Sequence, residues 1–227
     1  SNDNGCTPTE VTALSAPFLE ENGLIVIETE SLDYPSGWIK KEDNFSTGNA
    51  YIQWTGGDYF GTPGNGVISF EVSIQNPGTY HFVWRNVIGH GASPSDANDS
   101  WLKILADNYY GYRAAGDTVC PNGQESSNAC VGGSPRGSSS NGWFKIFRSG
   151  TPATEWKWNT GTSDFEGHAI YADFNTAGVY EIQISARSKH HGIDRVVLFR
   201  DRNTSDNVNF GAAVNTDLVE SPRDLAP

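Results

Sequence analysis

The chain is predicted to fold as an all-β protein, a two-sheet antiparallel β-sandwich with long loops, and three observations carry that expectation. Apolar residues fall on every second position in several short segments, the pattern of strands that bury one face. No segment longer than a turn or two carries a 3.6-residue period. Turn signals rich in Gly, Pro, Asn and Ser separate the alternating segments.

In chain order, residues 1–16 are polar and aperiodic and are expected to form a tail or linker ahead of one sandwich domain spanning 17–202. Leu24-Ile-Val-Ile runs directly into Glu28 and Glu30, whose two-residue spacing directs both carboxylates to one side of a strand. Residues 36–50 form a short strand or loop around Trp38. Two clear strands follow at 67–74 and 79–85, with Ile68, Phe70, Val72 and Ile74 alternating in one and Tyr80, Phe82 and Trp84 in the other. Gln75-Asn76-Pro77-Gly78 between them is a turn, because Pro fixes one backbone dihedral and Gly accepts a positive one, and the pair reads as a hairpin. Ahead of it, residues 54–66 alternate aromatics with Gly and small polar residues, a loop that carries aromatics. A long polar loop spans 87–100 before a strand at Trp101. Residues 106–142 are long and irregular for a compact domain, opening on Tyr109, Tyr110, Tyr112 and Arg113. A strand at 143–147 precedes a second aromatic loop or edge strand at 155–164, and strands at 169–174, 179–186 and 193–200 close the sheets. After Asp201 the period is lost, and 203–227 reads as a second tail or linker.

Lys and Arg total 15 against 27 acids, a net charge of −12, which argues against nucleic-acid or anionic-membrane partners. No apolar run approaches the roughly 18 residues of a membrane span. The chain contains no Met and is expected to be a mature or excised segment of a monomeric protein. Of its three cysteines, Cys120 and Cys130 bracket a short polar segment and are expected to close a disulfide loop contributing about 2–3 kcal/mol. Cys6 is then free or paired elsewhere, and the compartment is read as extracytoplasmic, that of a secreted protein.

Four motifs in this order, Ile27-Glu-Thr-Glu-Ser, Gly57-Asp-Tyr-Phe, Pro77-Gly-Thr-Tyr-His-Phe-Val-Trp-Arg and Gly192-Ile-Asp-Arg-Val-Val-Leu, resemble carbohydrate-binding modules of families 6 and 35 over roughly residues 24–200. That resemblance implies a jelly-roll, galactose-binding-like sandwich attached to a secreted polysaccharide-degrading enzyme. Asn98-Asp-Ser-Trp-Leu is similar to C-terminal domains of marine-type polysaccharidases.

The resemblance implies that Glu28, Glu30 and Asp194 hold a structural Ca2+, an ion that takes six to eight oxygen ligands. Read from the residues alone, the two glutamates are equally the solvent face of a strand, and Asp194 a partner of Arg195 or Arg187. For the ligand, the resemblance implies a site in the loops at one end of the sandwich, with Trp54 or Tyr59 and Trp158 as ring-stacking aromatics. Trp84 and Trp101, inside alternating strands, are expected to be buried. Many family members carry Asn just before the terminal Ile-Asp; here Gly192 stands there behind Lys189-His-His, so His190 or His191 is the candidate replacement. Asn98, Asp99 and Arg113 join the candidates from the long loops.

Catalysis and adhesion remain the alternative classes. Loop acids are present (Asp96, Asp99, Asp164, Glu166), and a pair of carboxylates is what a glycosidase requires. The chain nevertheless lacks a Glu-x-Asp-x-x-Glu hydrolase signature, a Gly-x-Ser-x-Gly elbow, a His-Glu-x-x-His zinc site and a phosphate-binding Gly loop. The expected role is therefore a non-catalytic module that binds a polysaccharide, a galactan such as agarose or porphyran ahead of a β-glucan such as laminarin.

Overall fold

Among the described residues of a computed structural model, 16–123, 139–148, 150, 152–163 and 167–224, fourteen strands sort into two sheets. The first runs in the order β1 (Phe18–Leu19), β5 (Ile68–Ile74), β13 (Gly178–Ser185), β7 (Asp99–Ile104), β11 (Trp143–Phe147) and β10 (Ser139–Ser140). The second runs β3 (Trp38–Glu42), β4 (Ala50–Trp54), β14 (His191–Arg200), β6 (Gly78–Ile88), β12 (Ala169–Phe174), β8 (Asn108–Ala114) and β9 (Asp117–Val119), with β2 (Leu24–Glu28) also paired to β14. Only the short β1–β5 pairing is parallel among these ladders. The all-β, two-sheet sandwich expected from the alternation is what forms.

The alternating side chains meet between the sheets. Ile68, Val72 and Ile74 from the first sheet pack in one buried cluster with Tyr80, Phe82, Trp84, Val196 and Leu198 from the second. Each fully buried aliphatic side chain of this kind contributes roughly 1.5–3 kcal/mol, so the cluster dominates the stability. Trp84 and Trp101 are both buried, as their place in alternating strands predicts.

The segments that read as a hairpin, β5 and β6, do not pair; they lie in opposite sheets and face each other across the core. The turn is real, but its polar groups are satisfied by Glu20 rather than by a ladder: the carboxylate accepts from the amides of Gln75 and Asn76 and from the Asn76 side chain. Alternation says that a strand buries one face, and both arrangements satisfy it equally.

The second correction concerns the segment after 202. Rather than a tail, residues 203–224 form a strap across the outer face of β14 and β2. A short helix, α1 (Phe210–Ala213), is capped by the Asn209 side chain, and Ala213, Val214 and Leu218 cover Val26, Val83, Val197 and Phe199. The strap then reaches the chain start: Ser221 N–H donates to Val26 O at 2.8 Å, Leu19 N–H to Pro222 O at 2.8 Å and Asp224 N–H to Pro17 O at 2.7 Å. Covered on both faces, β14 is buried from His191 to Phe199.

Candidate functional site

Two constellations of polar side chains stand out, one near the ends of β2 and β14 and one in the loops at an end of the sandwich. In the first, the ladder between β14 and β6 shifts register between Ile193 and Arg195. Asp194 is the extra residue of this bulge, a device that re-aims a side chain. Its buried carboxylate meets those of Glu28 and Glu30, with ligand atoms of all three within 4.8 Å of one another. Neighbours hold two of them: Arg195 donates to Glu28, Arg85 to Asp194 at 2.5 Å, and the Thr47 hydroxyl to Glu28 at 2.8 Å and Asp194 at 2.9 Å.

Glu30 differs. Its Oε2 is buried without a hydrogen-bond partner, and burial, reinforced by the charges of Glu28 and Asp194, pushes its carboxyl up to about 7. Burial also raises Asp194, against the pull of Arg85 and Thr47. Gly48 lies opposite, where a Cβ would come within 2.8 Å of Glu30 Oε1. An all-oxygen donor set with one orphaned anionic oxygen in a cradle free of side chain fits a hard divalent cation. These are the three residues that the resemblance implied as calcium ligands.

The second constellation is a groove of about 1190 Å³ lined by the loops 58–60, 90–99 and 187–190 together with the end of β11 and Gly150. Phe60, 56% exposed, presents its ring there, and the Arg187 guanidinium lies 5.1 Å from the ring centroid and 5.2 Å from that of buried Trp101. His90 and His190 set their rings 4.8 Å apart. His190 holds a left-handed backbone (φ 73°), clamped by its N–H to Trp54 O at 2.7 Å and by Gly89 N–H to its own carbonyl at 3.0 Å. His is among the residue types that adopt this region more readily than most, and the two hydrogen bonds hold it there. Partial burial and the neighbouring His90 lower its pKa.

The sequence-selected ligand residues divide accordingly. Asn98, Asp99 and His190 line the groove. Asn98 and Asp99 do so as buried wall: the Asn98 amide donates to Arg148 O at 2.8 Å, and the Asp99 carboxylate is bound by Arg187 and Ser188. Tyr59 is half-buried against the core, its carbonyl accepting from Trp101 Nε1 at 2.9 Å. Trp54 is no platform; it is 4% exposed and its Nε1 donates to Gly57 O at 2.7 Å. A Cβ on Gly37, Gly56 or Gly66 would strike its ring at 2.4, 2.2 or 2.6 Å, so the Gly-aromatic pattern encodes a glycine cradle around a buried indole.

Trp158 is likewise elsewhere: half-buried, it packs against the cluster of Val26, Val83, Val197, Phe199 and Ala213 and is not among the groove residues. His191 is fully buried, with Nδ1 at 2.8 Å from Ser100 Oγ and Nε2 at 3.3 Å from Asn86 Oδ1, and burial beside Arg148 lowers it to about 3. Arg113 pairs with Asp117 at 2.5 Å on the β8–β9 hairpin and is not among the groove residues. Asp164, Glu166, Cys6 and Cys130 lie outside the described residues; Cys120 is disulfide-bonded. Sequence reasoning missed Phe60, His90 and Arg187. The Phe-Gly-Thr-Pro-Gly context of Phe60, with no alternating partner, was the available signal.

No protein-family model matches the chain, and no curated protein matches it. Solved structures do. One is the GH26-CBM35 β-(1,4)-mannanase of Podospora anserina, at 14% identity and TM-score 0.47, covering 81% of this chain and 29% of that one. A family 35 carbohydrate binding module from Clostridium thermocellum matches at 15% identity and TM-score 0.42, covering 78% and 98%. The exoplasmic/lumenal domain of VIP36, in a Ca2+/Man3GlcNAc-bound form, matches at 10% identity and TM-score 0.31, covering 90% and 99%. The chain thus spans less than a third of the length of the mannanase.

Proposed function

We propose that the chain is a non-catalytic carbohydrate-binding module that holds a polysaccharide in the loop-end groove and keeps an attached glycoside hydrolase near its substrate, an effective-concentration gain. The observation that carries this reading is Phe60. An exposed ring at the mouth of a groove offers a flat apolar face to the C–H face of a pyranose. Around it stand groups with the donors and acceptors that hydroxyls need, among them Asp58, His90, Ser93, Asp96 and His190. Phe60 takes the role that the sequence suggested for Trp54 and Trp158. Asp99, the acid set deepest in the wall, has its carboxylate engaged by Arg187 and Ser188 and so lacks a free role as acid or base.

The favoured ligand is a galactan such as agarose or porphyran, then a β-glucan such as laminarin. Ca2+ held by Glu28, Glu30 and Asp194 would tie β2 to β14 as a structural ion. A disulfide-bonded Cys120 supports an extracellular location, since disulfides persist in oxidising compartments. Affinity gel electrophoresis against agarose, porphyran, laminarin and xylan, with each gel assayed for reducing ends, tests the proposal. Retardation without new ends is the expected result, whereas new ends or no retardation on any polysaccharide would overturn it.

A further inference from the structure

Arg187 is a buried cation packed against an exposed ring, and its partners show what it does there. β13 pairs with β7 through Ser185 and Trp101, so the chain leaving β13 passes the start of β7. Asp99 and Trp101 stand two residues apart in β7, on one face of the strand. One answers the charge of Arg187 and the other its plane: the Asp99 carboxylate accepts from Nη1, and the guanidinium carbon lies 5.2 Å from the Trp101 ring centroid. The same carbon lies 5.1 Å from the centroid of Phe60. Ion-paired and 8% exposed, Arg187 is not a docking cation for a ligand.

The segment that carries Arg187 also fixes the approach to Phe60. Lys189 N–H donates to the Asp58 carboxylate at 2.8 Å, Tyr59 N–H to Arg187 O at 2.7 Å, and Trp101 Nε1 to Tyr59 O at 2.9 Å. These bonds hold residues 58 and 59, and the guanidinium is what meets the Phe60 side chain. An exposed phenyl ring on a loop exchanges rotamers unless something holds it, and ordering it at the moment of binding costs affinity. We infer that Arg187 is a positioning residue: its guanidinium, held by Asp99 and Trp101, keeps the Phe60 ring in the orientation that receives a sugar, and it acts on affinity through that ring without touching the ligand. The effect on affinity rests on the carbohydrate-binding reading, whereas the order of the ring does not. Lysine could pair with Asp99 but has no plane to lay against an aromatic ring, so Arg187→Lys separates the two properties.

The test compares the parent, Arg187→Lys, Phe60→Ala and the double variant by quantitative affinity electrophoresis in whichever of agarose, porphyran, laminarin and xylan retards the parent. Arg187→Lys should bind about threefold to tenfold more weakly, and the double variant no more weakly than Phe60→Ala alone. A residue that touches the ligand, or one that only supports the fold, would weaken binding in both backgrounds, and that result would overturn the inference. Carbon-13 relaxation of the phenylalanine rings in ligand-free protein gives a second readout, with the Phe60 signal assigned by its loss in Phe60→Ala. That ring should be ordered in the parent and mobile in Arg187→Lys. A ring already mobile in the parent would overturn the inference even if Arg187→Lys failed to fold. An ordered ring in a protein that no polysaccharide retards would overturn the carbohydrate reading and leave the positioning of Phe60 by Arg187 in place.

Discussion

Glu30→Gln separates two roles that a carboxylate cluster can play. In the metal-free protein Glu30 is the cluster's uncompensated member: Glu28 has Arg195, Asp194 has Arg85, and Glu30 Oε2 has no partner. Its carboxyl is raised from 4.5 to about 7. Between those values the native state binds a proton that the unfolded chain does not, so stability is fully present below about 4.5 and is lost as pH rises through about 7. Each unit is worth about 1.4 kcal/mol, and solvent screening of this half-buried group reduces the total loss to about 1–2 kcal/mol. Glu30→Gln keeps the shape and removes the charge. In chelator at pH 8 the variant should be more stable than the parent by that amount, melting about 3–6 °C higher, with no difference at pH 4.5. Calcium should then do the opposite. At a hundredfold excess over Kd a native-state ligand adds about 2.7 kcal/mol to the parent, and the variant should show little of that gain. Differential scanning fluorimetry at the two pH values, with and without calcium, reads all of this. A variant less stable than the parent in chelator, or one that keeps the full calcium shift, would refute the assignment of Glu30 as the anionic ligand.

The two aromatic residues of the first loop should separate cleanly. Trp54→Ala should cost about 3–5 kcal/mol and lower the melting temperature by roughly 8–15 °C, because a buried indole leaves a cavity its glycine neighbours cannot fill. Phe60→Ala should move the melting temperature by less than about 2 °C and weaken binding to the retarding polysaccharide roughly 5- to 20-fold, measured by calorimetry. Acid should destabilise the fold through His81 and His191, whose folded pKa values are lowered by burial to about 4 and about 3 from 6.5. Below pH 6.5 the unfolded chain takes up protons that the native state refuses, so stability falls from pH 6.5 toward 4. Denaturant titrations at pH 7 and 5 should show a smaller loss in His191→Gln than in the parent.

What the sequence disclosed and what it hid follow one physical rule. Alternation reports that a strand has a buried face, so the strands around Ile68, Phe82, Ile182 and Val196 were legible; it carries no word on which sheet supplies the opposing wall, so β5 and β6 were mistaken for partners. Glu28, Glu30 and Asp194 could be brought together because a resemblance supplied the long-range link, which local pattern cannot. The aromatic loops misled for a related reason. A Trp beside several glycines is compatible with exposure or with a close-fitting cradle, and only the backbone path around Trp54 decides. The strap leaves a trace in the sequence. Val26, Val83, Val197 and Phe199 place apolar side chains on the face that a sandwich with one wet surface would make polar, and a strand apolar on both faces is covered on both. That excess demands a covering segment, and in this chain the aperiodic stretch from Val208 to Leu218 supplies it. Its hydrogen bonds also tie the cover to the carboxylate cluster: Glu220 accepts from the Glu28 amide at 2.9 Å, and Arg195 reaches both Glu28 and the carbonyl of Asn215 at 3.3 Å. An ion that orders Glu28 therefore bears on the strap, and amide exchange at Val26 and Ser221 should slow with calcium in the parent and far less in Glu30→Gln.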